Sequence, residues 1–200
     1  MQTRFARNFV VMASTSALAA CTHLNRPSPG PKSTGPSDGN IVAIVMASSN
    51  ADLSYARLAL ARTTSPAVKD FAARMITDHS AINAALAELV SRSTIKPADN
   101  DGSLAYRDES ARERDRIRSL EGRDFDTAYI ANEIRFDRKL IQVLDDELIP
   151  KVRDTQLRQV LVSVRPAVAA HLEHATKLKT GDSGAERWER VESPGAGRRG

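Results

Sequence analysis

Five acidic and imidazole side chains stand on stripes that are otherwise apolar. His79 continues Val68, Ala72, Met75, Ile82 and Leu86 at helical spacing, and His171 continues Leu157, Val164, Val168, Ala175 and Leu178. Glu133 and Asp137, four apart, share a face with Ile130, Ile134 and Ile141. Asp52 flanks the seam of an earlier apolar stretch. At least one candidate ligand on each of four helices, near the middle of a bundle, is the layout by which bundles build metal sites. Carboxylate and imidazole together suit iron, manganese or zinc.

The same residues fit a plainer arrangement. A buried histidine on a helix seam commonly hydrogen-bonds to a carboxylate, and His79 could do so with Glu133 or Asp137. Di-iron bundles carry a Glu-x-x-His pair on each of two helices. Here Ile76 and Val168 occupy the positions three before His79 and His171, and no histidine lies between Glu133 and Asp137. His171 and His174 suit one inward ring and one facing solvent. No catalytic residue is assigned. Ser48, Ser49 and Ser54 lack a strand-turn-helix elbow to activate them, and no Gly-rich loop is placed to cradle phosphate.

Cys21, the sole cysteine, has a different chemistry. Ahead of it come Arg4, Arg7 and the apolar run from Phe9 to Ala20, the marks of an export signal. That run is too short to cross a hydrocarbon core, which takes about 20 residues. Leu18-Ala19-Ala20-Cys21 resembles the lipobox of bacterial lipoproteins, which implies acylation of the Cys21 thiol and amine and stable anchoring by two or more chains. Thr22 follows the cysteine where inner-membrane retention would favour Asp, so the expected address is the periplasmic face of the outer membrane. Ala17-Leu18-Ala19 also fits ordinary cleavage, which would release a soluble periplasmic protein with one free thiol.

The elements that must position these residues follow from periodicity. Residues 22–39 are rich in Pro, Gly and Ser and read as a disordered tether. The polar stretch 180–200, with Trp188, reads as a disordered tail. The divisions expected are a signal peptide at 1–20, lipidated cysteine and tether at 21–39, a folded bundle at 40–179 and the tail. Within the bundle the spacing predicts a first helix over 40–63, with Ile41, Ile44, Val45, Ser48, Tyr55, Leu58 and Ala59 on one face. Ser65 and Pro66 read as cap and first residue of the second helix. The stretch Lys96 to Gly102 breaks that helix.

The segment Leu104 to Leu120 is heavily charged and reads as a peripheral or partly frayed helix. After Gly122 comes a third main helix, with Phe125, Tyr129, Leu144 and Leu148 inward, stopped by Pro150. A fourth runs over 154–179 with Pro166 inside it, where a kink is expected. No segment alternates as a strand does. The chain reads as all-α, an antiparallel four-helix bundle with an extra peripheral helix.

Net charge is +4, of which Arg4 and Arg7 supply two, and basic and acidic residues interleave, as in Arg112-Glu113-Arg114-Asp115-Arg116. That is the pattern of a solvated helix face, and it gives nucleic-acid binding no support. The partner expected is the membrane, through the lipid; protein partners are not legible.

Residues 41–179 resemble the bacterial family of domain of unknown function 4142. The matching stretches include Pro66-Ala67-Val68-Lys69-Asp70-Phe71-Ala72, Met75-Ile76-Thr77-Asp78-His79, Phe125-Asp126-Thr127-Ala128-Tyr129-Ile130, Leu148-Ile149-Pro150 and His171-Leu172-Glu173-His174-Ala175. The resemblance implies a ferritin-like helical bundle and an envelope location, with no established activity. Family members commonly carry histidine at the place of Asp137 and glutamate at that of Asp52. The expectation is a lipid-anchored, non-enzymatic envelope bundle, with a ferritin-like metal site as the alternative.

Overall fold

The computed structural model describes residues 35–181, and the described chain is helical almost throughout. The signal, Cys21, most of the tether, and the tail with Trp188 lie outside the described residues. The elements are α1 (Asp38–Arg62), α2 (Pro66–Arg92), α3 (Asp101–Arg118), α4 (Gly122–Val143), a π-helical turn (Leu144–Leu148), α5 (Ile149–Lys151) and α6 (Thr155–Thr180).

Most boundaries follow from capping chemistry. Ser37 Oγ accepts from Asn40 N–H at 3.2 Å, and Asn40 Oδ1 accepts from Ser37 N–H at 3.1 Å, a reciprocal box that starts α1 two residues before the expected position. Ser65 caps α2 with Pro66 in its first turn, as the sequence predicts. Asn100 and Ser103 form a second box at the start of α3, and Asp154 caps α6. Gly122 turns the chain into α4 at φ 54°, and Gly181 ends α6 at φ 71°. Both values lie in the left-handed region that glycine enters without a Cβ clash.

Short connections return the chain on itself between α1 and α2 and between α3 and α4. The ends are also tied together: the Asp38 carboxylate accepts from the backbone N–H groups of Arg153 and Asp154, joining the start of α1 to the start of α6.

α1 sits at the centre, packed against α2, α3 and α4, and α6 closes the bundle against α2 and α4. The inward residues expected on α2 are all buried. On α1 burial extends beyond the single face expected, because α3 covers its other side through Tyr106 and Ile117. Ala43, Ala47, Ser49, Ala51 and Ala56 are small enough to let neighbouring helices approach closely, and the strip through Asn50, Arg57 and Ala61 stays exposed. α3 is therefore an ordered, capped helix rather than a frayed one. Phe136 of α4 fastens it, meeting Tyr106 of α3 and Tyr55 of α1 edge-on with ring centroids 5.4 and 5.9 Å apart.

Pro150 does not stop the third main helix where it stands. The wide turn at Leu144–Leu148 absorbs it: Ile149 N–H reaches the Leu144 carbonyl, and the helical path continues to Lys151. Both Leu144 and Leu148 stay fully buried as a result. Pro166 lies within a single continuous helix, α6. It is exposed, and so is Val162, the residue whose carbonyl it leaves without a helical donor, so water can serve that carbonyl. Among the described residues, no helix is long and apolar enough to cross a membrane.

Candidate functional site in the bundle core

The structure gathers all five candidates in the interior. Asp52 from α1, His79 from α2, Glu133 and Asp137 from α4 and His171 from α6 are each 1% exposed or less. The reason is local to each helix. Every one of them holds a position that the apolar stripe requires to face inward, so helical geometry carries its polar head into the core.

Their partners there are few. His79 Nε2 lies 3.4 Å from Asp52 Oδ2, but the two are not aligned for a hydrogen bond. The expected hydrogen bond of His79 to Glu133 or Asp137 does not form among the described residues, and the carboxyl in contact with it is that of Asp52 on the adjacent helix. Both carboxyl oxygens of Asp52, Glu133 and Asp137, and both ring nitrogens of His79, are buried without a hydrogen-bond partner among the described residues. Burial without a bond costs about 1–3 kcal/mol for an ordinary polar group and more for a charged one.

Burial disfavours the charged form of all three acids. Burial pushes the Asp52 carboxyl well above its ordinary range, and the neighbouring Glu133 and Asp137 push it the same way. Burial and then Asp137 raise Glu133, and burial raises Asp137. Each would feel charge on the others, so full ionisation of the trio is disfavoured. His79 is held neutral from the other side: burial, reinforced by His171, lowers it to about 3. The contact between His79 and Asp52 is therefore one between neutral groups, not an ion pair.

His171 has the one firm bond in the group. Its Nε2 lies 2.8 Å from Oδ2 of Asp78, a partly exposed carboxylate on α2 that also faces Arg74. Burial opposes the charge on Asp78, but the bond to His171 and the nearby His171 and Arg74 bring it net below its ordinary value. The His171 ring stands 5.2 Å from that of His79, centroid to centroid, and its Nδ1 is buried without a partner. His174 turns outward and is only partly buried, its ring edge-on to Phe71.

Asp78 was not legible as a site residue, since it stands beside the apolar stripe and only the packing of α2 on α6 brings it to His171. Three phenols complete the surroundings. Tyr55, Tyr106 and Tyr129 are raised by burial first and then by the core carboxylates, and the hydroxyls of Tyr106 and Tyr129 lack a partner among the described residues. Ser49 anchors the level of the site by donating its hydroxyl to the His79 carbonyl at 3.0 Å. The donor set suits a divalent cation. Yet among the described residues no three His, Cys, Asp or Glu side chains stand in position around one point to hold a metal ion.

These protonation states set the pH response of the metal-free protein. Unfolded, the carboxyls ionise near their ordinary 3.8 and 4.5, whereas burial in the folded chain raises all three well above those values. The folded state then binds more protons, and stability falls as pH rises. The histidines work in the opposite sense below their unfolded value of 6.5, where the unfolded chain takes up protons that folded His79 refuses. Above that value the carboxyls act alone. Urea unfolding in the presence of a chelator should therefore give lower stability at pH 8.5 than at pH 7. Glu133→Gln should raise stability at pH 8.5 by about 1–3 kcal/mol and flatten the slope. A wild-type curve that rises over this interval would contradict the protonation scheme.

No curated protein and no solved structure matches the chain. A family model does: the one described as Domain of unknown function (DUF4142) matches residues 24–178, most of the sequence, and the chain belongs to that family.

Proposed function

We propose that the protein is an exported envelope component, held to the membrane by lipid on Cys21, with a binding rather than a catalytic role. Its helical core takes up a divalent cation among Asp52, His79, Glu133, Asp137 and His171. The observation that carries this reading is the set of buried carboxyl and imidazole atoms with no hydrogen-bond partner. A protein interior retains such groups at a cost in stability, and that cost is characteristic of sites kept for function.

A divalent cation would answer the electrostatics directly. It offsets two carboxylate charges, and one retained proton neutralises the third, leaving an apolar core with no net charge. The carboxyl groups must turn about their side-chain torsions to converge, since they do not do so in the metal-free arrangement. The missing Glu-x-x-His pairs at Ile76 and Val168 argue for holding a cation rather than turning over a redox reaction. That same lack of convergence favours a second reading, in which the core stays protonated and the bundle acts only through contacts with other molecules.

Elemental analysis of protein purified from its native host separates the two. The cation reading expects close to one iron, manganese or zinc per chain, and a rise in Tm when that ion is added to stripped protein. Saturation at a hundredfold the dissociation constant contributes about 2.7 kcal/mol. Less than a tenth of a metal per chain with no thermal shift would leave only the second reading.

The anchor rests on the Arg4, Arg7, Phe9–Ala20 and Cys21 pattern, outside the described residues. Cells fed a fatty-acid analogue should label the wild-type protein and not Cys21→Ser, and only the variant should move to the soluble fraction. An unlabelled, soluble wild-type protein would instead mean ordinary cleavage and release.

A further inference from the structure

We propose that α3 is a releasable cover: it comes off the bundle as a unit while α1, α2, α4 and α6 stay packed, and its release opens the α1 face that carries Ala51 and Tyr55. The proposal does not depend on what the core holds.

Among the long helices, α3 has the least to lose by leaving. Ten of its 18 residues are charged, and it buries only Ser103, Tyr106 and Ile117. By contrast, α2 buries eight residues and α4 nine. Segments with few buried apolar contacts open locally before the whole domain unfolds.

Most of what holds α3 shut lies near solvent. Glu109 pairs with Arg135 and Lys139 of α4, each at 2.5 Å, and both basic side chains are nearly half exposed. Arg114 reaches Ser54 Oγ of α1 at 3.3 Å. Exposed ion pairs contribute little and are screened by salt. The deep fastening, Tyr106 against Phe136, carries a cost of its own. The Tyr106 hydroxyl is buried with no hydrogen-bond partner among the described residues, and water serves it once the helix is released.

The chain on either side permits this. Ahead of α3, Ala98 is tied to the start of α1: its N–H donates to the Gly39 carbonyl at 3.1 Å, and its carbonyl accepts from Asn40 Nδ2 at 2.8 Å. Beyond α3, Gly122 stands at φ 54°, and a Cβ there would meet nothing within 4 Å, so that turn has room to move. Beneath α3 lies a row of α1 residues at helical spacing. Ile44 packs against Gly102, Tyr55 donates its hydroxyl to the Ser110 carbonyl at 3.3 Å, and Ala51 falls between them.

Hydrogen exchange of the full-length protein, read by mass spectrometry, tests the cover. A released helix of this length is marginal on its own. The α3 amides should therefore exchange about 10-fold faster or more than those in the middle of α1 and α4, with a shallower urea dependence. Raising sodium chloride from about 0.05 M to about 1 M should speed α3 exchange about 3-fold. Glu109→Gln should give the same gain at low salt and remove most of the salt response. Leu157→Ala, in α6, should speed exchange in the other four long helices and leave α3 unchanged, because the α6 packing survives the opening.

Thiol labelling reads the uncovered face directly, with Cys21→Ser as background. Ala51→Cys should label at the rate of α3 opening. Ala56→Cys, one stripe round with Ser49 and toward α2, should label only at the rate of global unfolding. Exchange of α3 at the same rate and urea slope as α1 and α4 would overturn the proposal. So would equal acceleration of α3 by Leu157→Ala, or Ala51→Cys labelling no faster than Ala56→Cys. Should a cysteine variant fail to fold, exchange of the wild-type protein decides alone.

Discussion

Three carboxyl groups and two imidazoles share the interior of one helical bundle, and the rest of the structure depends on keeping them neutral there. In a medium of low dielectric, a single unpaired charge costs several kcal/mol, and adjacent carboxylates repel as well. Burial works toward this by raising the three acids and lowering His79 and His171. Hydrogen bonding, the usual remedy, reaches only His171 of the five among the described residues. A core evolved for stability alone would place leucine or alanine at such positions. The retained cost is the support for the site proposed here.

The surrounding architecture insulates that interior. Central α1 is buried over most of its surface, with Asn50, Arg57 and Ala61 along its exposed strip and Asp52 on the covered part. α3 supplies the cover through Tyr106 and Ile117. On the outside, Glu109 of α3 holds Arg135 and Lys139 of α4, which ties the covering helix to the one that carries Glu133 and Asp137. The π-helical turn beyond Asp137 keeps Leu144 and Leu148 inward past Pro150, and so seals the lower part of the same helix. Asp78 links the cluster to the surface, its carboxylate partly exposed while its partner His171 is not.

The sequence made the five core groups legible because an ionisable residue in an apolar helical stripe has nowhere to go but inward. The helices of α2, α4 and α6 were legible for the same reason, as was the cap at Ser65, whereas the cap at Asp154 emerged only in the structure. Other features depended on contacts between helices. α1 is rich in alanine and serine, which suit a buried or an exposed face alike, so the wide extent of its burial left no sequence signal. α3 is mostly charged, and the three residues it turns inward are too few to reveal a periodic stripe. The pairing of His79 with Asp52, and of His171 with Asp78, was hidden because it depends on how α2 lies against α1 and α6. Membership of the DUF4142 family agrees with the helical fold and leaves the chemistry to be read from the core.

The infrared spectrum of the metal-free protein at pH 7 tests the central claim most directly, because a protonated carboxyl group shows a carbonyl stretch that a carboxylate lacks. The neutral-core account predicts that stretch in the wild-type protein at a pH where every solvated carboxyl is ionised. It also predicts its loss in Asp52→Asn/Glu133→Gln/Asp137→Asn and its decline as zinc is added. A wild-type spectrum at pH 7 with carboxylate bands alone would show that the core acids are ionised, and would contradict the account.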